Sequence, residues 1–237
     1  MNYMMQRYTG LLLLLLLTLS MPARGQFADS MAKPAPPVFQ PKSLVVPAAL
    51  LAAGVLITVR PGATIGTELV EERNEHFGNF GTHIDNYLQY APVAVAYGLD
   101  AAGIPSRTDL LNRTVILLKG TLLMTGVVTL LKNTTHVLRP DGSAYNSFPS
   151  GHTAQAFAAA TFLSEEYKER FPWMPYAAYG SAACVGALRM ANNRHYLGDV
   201  LAGAALGILS MKLAYWTHQY KWGKPKHHPR GFDPKSI

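Results

Sequence analysis

The chain has 237 residues, of which 49% are hydrophobic and only 15% are charged. That charged fraction lies well below the roughly 25% of an ordinary soluble domain and, with a mean hydropathy of +0.08, indicates a small membrane protein with sizeable polar loops. The net charge is +7, yet no basic motif with interleaved aromatic residues occurs, which argues against nucleic-acid binding. The single cysteine, Cys184, cannot form an internal disulfide, and no Cys/His cluster with metal-ligand spacing is present.

The first 25 residues have the layout of a secretory signal peptide. A positive charge at Arg7 precedes the apolar run 11–19, and small residues precede a cleavage site at Gln26. The alternative is an uncleaved first membrane helix, but the shortness of the apolar run favours the signal peptide. Residues 26–43 contain four prolines and are predicted to form a linker.

Six apolar segments follow, and each is predicted to be helical because isolated strands cannot satisfy their backbone hydrogen bonds in lipid. They cover residues 44–59, 87–104, 113–131, 151–163, 176–190 and 200–217. We therefore predict an all-α fold, a membrane helix bundle of five to six spanning helices within a domain at 44–218. Gly203 and Gly207 lie four residues apart and predict close helix packing.

The direction of the spans is predicted from charge. The basic C-terminal tail at 219–237 should lie in the cytoplasm. Counting back from it places the loops 132–150 and 191–199 together on the periplasmic or extracellular side. A cleaved signal peptide leaves the mature start on that same side, which conflicts with six full spans. Either the signal peptide is retained or cleaved unusually, or one segment does not cross. Segment 44–59 is short and has Pro47 near its start and Pro61 just beyond its end, so we favour five spans with this segment half-buried.

Three polar stretches interrupt the apolar chain. They contain Lys132 and Arg139, then Ser150, Gly151 and His152, then Arg189, His195 and Asp199. Three permanent cations at the membrane ends of apolar segments are costly unless an anion binds them. Arginine matches phosphate oxygens geometrically, and a helix that starts after a serine and a glycine offers free N–H groups to an anion.

The histidines add reactive groups to this anion site. His195 and Asp199 are four residues apart, and we expect them on one helical face, where the carboxylate orients the imidazole. His152 comes from another segment and is placed to supply a proton from the opposite side. The combination predicts phosphoryl transfer without a metal, in which His195 attacks phosphorus and His152 protonates the leaving oxygen.

The order and spacing Lys-x6-Arg-Pro, Pro-Ser-Gly-His and Arg-x5-His-x3-Asp resemble the three-part signature of the type-2 phosphatidic acid phosphatase superfamily. Bacterial non-specific acid phosphatases and vanadium haloperoxidases share that signature, and the resemblance covers about residues 86–217. The chain departs from it at Leu188, where the family usually has a serine that would add a hydrogen bond to the phosphate.

The resemblance implies a role for each matching residue. His195 is the nucleophile, Asp199 its partner and His152 the general acid. The resemblance also implies that phosphatase activity needs no metal or other cofactor. The phosphate-binding residues would be Lys132, Arg139, Ser150, Gly151 and Arg189.

These observations predict a metal-independent lipid phosphatase of the bacterial inner membrane with its active site facing the periplasm. The stretches "RPDGS…SFPSGHTA" and "NNRHYLGDVLAG" resemble lipid A phosphatases. Phosphatidylglycerophosphate and undecaprenyl pyrophosphate remain open as substrates. The expected partners are thus a phosphorylated lipid and the bilayer, with the oligomeric state open.

Three other functions stay open at this point: a soluble periplasmic acid phosphatase, a vanadium-dependent peroxidase and a non-catalytic anion-binding membrane protein. Several further residues have two interpretations. His136 is either a phosphate contact or a loop residue, and residues 192–194 are candidates for shaping the head-group pocket. The polar stretch from Thr67 to Asp85 is either a cover over the site or a solvated amphipathic segment.

Overall fold

The computed structural model describes residues 40–59, 64–78 and 80–219. The predicted signal peptide, most of the predicted linker and the basic tail from residue 220 lie outside these ranges. The described residues form α-helices and no strand, which confirms the all-α prediction for this part of the chain. The helices are α1 (Val45–Val59), α2 (Thr64–Phe77), α3 (Ile84–Leu88), α4 (Ala91–Ala101), α5 (Leu110–Thr135), α6 (Gly151–Tyr167), α7 (Met174–Ala191) and α8 (Leu197–Trp216).

Three segments of the described chain are long and apolar enough to cross a membrane: Pro41–Val59, Leu110–Thr135 and Leu197–Trp216. The first joins α1 to a 3-10 turn at Pro41–Leu44, so the last residues of the predicted linker belong to this helical segment. With 19 residues, this helical segment is longer than the apolar segment 44–59 that the sequence predicts to be half-buried. The total of five to six spans stays a prediction.

The apolar segment 87–104 differs most from the prediction of one continuous helix. It is broken after α3, because residues 89–90 form a turn before α4 begins at Ala91. Pro92 stands in the first turn of α4, where its missing N–H group costs no intrahelical hydrogen bond. The break lets α3 approach α7 while α4 packs on α6.

The core lies around α6 and α8. Helix α8 packs against α1, α5 and α6, and its inner face consists largely of alanine and glycine. A Cβ atom on Gly203 would lie only 2.5 Å from the main-chain oxygen of Ser150, and one on Gly207 would meet the main-chain oxygen of Ala154. The predicted close packing at Gly203 and Gly207 is therefore confirmed, and it seats the start of α6 directly on α8.

The loop between α5 and α6 is fixed at both ends. Helix α5 stops because His136 adopts a left-handed conformation with φ of 48°, and α6 begins at Gly151 after the cap residue Ser150. Within the loop, the amide of Gly142 donates to the carbonyl of Arg139 at 2.9 Å, and the φ of 70° at Gly142 favours glycine there. This loop directs Arg139 towards the same end of the bundle as the start of α6.

Candidate active site

A cavity of about 580 Å³ lies at this end of the bundle. Six of the eight predicted site residues line it, and the other two, Ser150 and Asp199, are fully buried in the protein. Residues from all three polar stretches therefore meet in one place, as the sequence predicts. The lining residues are Gly81, Thr82, His83, Asp85, Asn86, Lys132, Arg139, Gly151, His152, Arg189, Asn192, Arg194 and His195.

His195 and Asp199 make the predicted contact, but the helical face that we expected for them is wrong. Helix α8 begins only at Leu197, and His195 lies in the preceding loop. The carboxylate of Asp199 caps α8 by accepting from the amide of Tyr196 at 3.0 Å, and its Oδ2 lies 3.4 Å from Nδ1 of His195. The cap, rather than helical spacing, brings the pair together and leaves Nε2 of His195 free of hydrogen bonds to described residues.

Ser147 is a third member of this group that sequence reasoning missed. Its hydroxyl donates to Oδ2 of Asp199 at 2.5 Å and lies 3.4 Å from Nδ1 of His195, and the side chain is fully buried. Because the hydroxyl proton is engaged by the carboxylate, the hydroxyl oxygen can accept from Nδ1–H. Nothing in the sequence distinguishes Ser147 from the neighbouring Ser143, so only the fold could reveal it.

The protonation of His195 follows from its position. Burial lowers the pKa of His195 to about 4, even though the hydrogen bond and charge of Asp199 act in the opposite direction. The cations Lys132 and Arg189 further disfavour the imidazolium form. At neutral pH the imidazole is therefore uncharged, and one of its ring nitrogens carries a lone pair.

Two cations of the cavity have no acidic partner among the described residues. Nζ of Lys132 donates to the main-chain oxygen of Asn146 at 2.5 Å, and Nε of Arg139 donates to Oδ1 of the same residue at 2.9 Å. Burial and the neighbouring guanidinium groups of Arg189 and Arg194 lower the pKa of Arg139. This crowding of positive charge creates a site that favours an anion.

Arg189 is held by a partner that the sequence did not reveal. Its Nη1 donates to Oδ2 of Asp85 at 2.7 Å, and both side chains are buried. Burial by itself would raise the pKa of Asp85, but the hydrogen bond and charge of Arg189 bring it below its ordinary value. Nε of Arg189 is also buried and has no hydrogen-bond partner within the described part of the chain, which leaves a charged donor for a ligand.

The turn before α6 is tied to the first turn of α8. The amide of Ser150 donates to the main-chain oxygen of Asp199 at 3.0 Å, and the Ser150 hydroxyl lies 2.9 Å from the hydroxyl of Thr153 and accepts from its amide. The hydroxyl thus caps α6, and a direct contact of Ser150 with phosphate stays a prediction. Gly151, the first residue of α6, lines the cavity at the positive end of the helix.

The segment that follows α2 forms the remaining wall of the cavity. Thr82 exchanges two hydrogen bonds of 2.9 Å with the side chain of Asn192, and Nε2 of His152 lies 2.9 Å from Oδ1 of Asn86. Arg73 on α2 donates to the main-chain oxygen of Ala191 at 2.9 Å. Residues 81–86 therefore form a cover, whereas most of α2 is exposed to solvent, so each interpretation of Thr67–Asp85 applies to one part.

The other candidate residues differ in whether they line the cavity. Asn192 and Arg194 line the cavity, and Arg194 also pairs with Asp141 at 2.9 Å. His136 is exposed and Leu188 is half-buried, and neither lines the cavity. His136 is therefore a loop residue in this structure, and the serine that the family usually has at position 188 has no counterpart in the cavity wall.

Part of the chain, which includes most of the cavity residues, is similar to known proteins. Residues 113–223 match the PAP2 superfamily. Over 140 residues, 59% of this chain and 32% of the relative, the chain is 44% identical to a protein of Porphyromonas gingivalis named lipid A 1-phosphatase. Over 72 residues, 30% of this chain and 34% of the relative, it is 39% identical to the bacitracin transport permease protein BcrC of Bacillus licheniformis. The chain thus matches about a third of the length of each of these relatives.

Two solved structures are also similar. The crystal structure of Aquifex aeolicus LpxE has a TM-score of 0.49 and 22% identity, covering 64% of this chain and 94% of that one. A transmembrane PAP2-type phosphatidylglycerolphosphate phosphatase from Bacillus subtilis has a TM-score of 0.46 and 19% identity, covering 71% and 94%. The family match over residues 113–223 confirms the resemblance found in the sequence for that part of the chain.

Proposed function

We propose that the protein is a phosphatase that removes a phosphate group from a membrane lipid, without a metal, through a phosphohistidine at His195. One observation carries this proposal: the three predicted cations and the two predicted histidines, which come from distant parts of the chain, line a single cavity. They are Lys132, Arg139, Arg189, His152 and His195. The PAP2 superfamily match and the 44% identity to a lipid A 1-phosphatase support the same reaction class.

The phosphate would bind where positive charge is least compensated. Lys132 and Arg139 form no ion pair with described residues, and Nε of Arg189 is a buried donor with no hydrogen-bond partner in that part of the chain. The start of α6 at Gly151 adds main-chain N–H groups and the positive end of the helix dipole. Donors arranged in advance around the phosphate also stabilise the charge that develops in the transition state.

The reaction would proceed in two steps. In the first, the Nε2 lone pair of His195 forms a bond to phosphorus and the bond from phosphorus to the ester oxygen breaks. His152, in its imidazolium form, gives its Nε2 proton to that oxygen and becomes neutral. In the second, His152 takes a proton from water while the water oxygen attacks phosphorus, and the bond to Nε2 breaks. Inorganic phosphate is released and both histidines return to their starting states.

Asp199 and Ser147 would support the nucleophile without touching the substrate. A carboxylate on the Nδ1 side fixes the tautomer in which Nε2 carries the lone pair, and it stabilises the positive charge that the ring acquires in the intermediate. The hydroxyl of Ser147 holds the same carboxylate oxygen in place. Asp199 would thus orient the nucleophile His195, and Ser147 would orient Asp199.

A lipid substrate is supported by the surroundings of the cavity. Lys132 lies in the last turn of α5, a candidate membrane span whose side chains Leu118, Leu122 and Leu130 are exposed. A phosphate at the end of such a span lies at head-group level. Lipid A is the first candidate because of the Porphyromonas gingivalis relative, and phosphatidylglycerophosphate and undecaprenyl pyrophosphate follow. An inner-membrane location, five to six spans and a periplasmic cavity complete the proposal.

The test is a substrate panel with detergent-purified protein. The protein is incubated with lipid A, phosphatidylglycerophosphate, undecaprenyl pyrophosphate and phosphatidic acid, and mass spectrometry reports which lipid loses phosphate. EDTA should leave the rate unchanged. A radiolabelled phosphate should remain on the protein after an alkaline quench, because phosphohistidine is stable to base and labile to acid.

Two histidine variants make the test specific. His195→Gln should lose phosphate release, whereas His136→Gln should keep it, because His136 lies outside the cavity. Phosphate release that survives in His195→Gln would exclude the phosphohistidine. A folded wild-type protein that binds vanadate but hydrolyses none of the lipids would favour a non-catalytic anion-binding protein.

A further inference from the structure

The two histidines of the cavity have hydrogen-bond partners of different charge. Nδ1 of His195 faces the carboxylate of Asp199, whereas Nε2 of His152 lies 2.9 Å from the side-chain oxygen of Asn86. A carboxylate stabilises a positively charged imidazole, while an amide oxygen only accepts a hydrogen bond. The difference matches the roles proposed above, since a nucleophile gains positive charge and an acid gives its proton away.

Asn86 lies outside the matched domain at residues 113–223 and outside the three polar stretches of the sequence. Its main chain is fixed in α3, because its amide donates to the carbonyl of His83 at 3.2 Å and its carbonyl accepts from the side chain of Gln89 at 2.8 Å. Helix α3 is in turn attached to α7 by the ion pair between Asp85 and Arg189. The Asn86 side chain is thereby held against His152 with no other hydrogen bond among the described residues.

We propose that Asn86 is the positioning residue of the general acid: its amide oxygen holds the Nε2 proton of His152 in the cavity wall until the leaving oxygen accepts it. This inference rests on the proposed phosphatase function. In the step itself the leaving oxygen replaces Oδ1 of Asn86 as the acceptor, and the proton moves from Nε2 to that oxygen. Asn86 gains and loses no proton.

The charges around His152 explain why an amide suits this place. Lys132, Arg139 and Arg189 contribute positive charge from α5, the loop and α7, His195 faces the same cavity, and Asp85 is the nearby carboxylate from α3. The Asp85 carboxylate is engaged by Arg189. A second carboxylate at position 86 would hold the proton on His152 more tightly and make it a weaker acid. An amide orients the proton without that cost.

The experiment compares two leaving groups in two variants. The full-length protein in detergent is assayed with dioctanoyl phosphatidic acid, which releases an alkoxide that must be protonated, and with p-nitrophenyl phosphate, which releases a stable anion. Asn86→Ala should lower kcat/KM for the lipid by about 10- to 100-fold, and for p-nitrophenyl phosphate by less than about threefold, because protonation matters only for the poor leaving group. Asn86→Asp keeps the oxygen and should recover most of the activity, with the alkaline limb of its pH profile moved upwards.

Tyr87→Ala is the matched control, since Tyr87 is the next residue of α3 and is 79% exposed. It should leave both substrates unaffected. An equal loss on both substrates in Asn86→Ala, or no loss on either, would overturn the inference while leaving the phosphatase proposal intact. A wild-type protein that hydrolyses neither substrate nor the lipid panel would instead refute the phosphatase proposal, and the inference with it.

A spectroscopic measurement tests the contact without relying on activity. In the substrate-free wild-type protein with 15N-labelled histidine, the neutral form of His152 should carry its proton on Nε2, where Oδ1 of Asn86 accepts it. The signal is assigned by its absence in His152→Gln. A neutral His152 with its proton on Nδ1 would overturn the inference whatever the kinetics show.

Discussion

Replacing Gly203 by alanine should separate the two turns that build the site. The new Cβ atom would lie 2.5 Å from the main-chain oxygen of Ser150 and 3.3 Å from Cβ of Thr153. An ordinary contact needs about 3.4 Å or more, so α8 and α6 must move apart by nearly 1 Å. Overpacking of this kind costs about 1–3 kcal/mol, against a gain of about 1 kcal/mol from the higher helix propensity of alanine.

The chain offers a matched control for this change. Gly126 lies inside α5, and a Cβ atom there would meet nothing within 4 Å. Gly126→Ala therefore gains helix propensity without a clash, and the free energies of unfolding of the two variants should differ by about 1–3 kcal/mol. Thermal unfolding in detergent measures the difference.

The same displacement of α6 relative to α8 should also lower the rate of phosphate release. Ser150 is bonded through its amide to the main-chain oxygen of Asp199, so a shift between α6 and α8 misplaces His152 relative to His195. A misplacement of about 1 Å can cost on the order of 100-fold in rate. Phosphate release from the preferred lipid should therefore fall in Gly203→Ala and persist in Gly126→Ala. Equal stability and equal activity of the two variants would refute the packing argument.

Three further predictions concern charge and backbone conformation. The folded pKa of His195 lies below the unfolded value of 6.5, so the fold should lose about 3 kcal/mol as the pH falls from 6.5 to about 4, and this loss should be absent from the unfolding curves of His195→Gln. Asp85→Ala should cost about 3–5 kcal/mol because it leaves Arg189 buried without its partner, whereas Asp141→Ala breaks a more exposed ion pair and should cost less than about 1 kcal/mol; denaturant unfolding in detergent compares the two. His136→Gly should increase the free energy of unfolding by about 1 kcal/mol, because glycine adopts the left-handed conformation at the end of α5 without strain. The unfolding temperature should therefore rise, and an unchanged or lower temperature would contradict this.

The sequence by itself determined the cations and the two histidines of the candidate site. The hydropathy pattern located the apolar helices but neither α2 nor the break between α3 and α4, because a membrane requires only long apolar runs whose backbone bonds are satisfied internally. The spacing of Lys132, Arg139, His152 and His195 indicated the phosphatase superfamily. Side chains that lie at the ends of successive helices and meet in one site must follow one another in a fixed order along the chain. The glycines of α8 likewise predicted a close helix contact, because only the absence of a side chain permits it.

The tertiary structure alone decided how these groups are held. His195 contacts Asp199 through a helix cap rather than across a helical face, because α8 starts two residues after the histidine. Ser147, Asp85 and Asn86 entered the site only through contacts with residues 48 to 104 positions away in the chain. No local pattern encodes such partners: a serine, an aspartate or an asparagine in a loop looks the same in sequence whether it faces water or a catalytic side chain. Burial then set the protonation of His195, and burial is a property of the packed bundle.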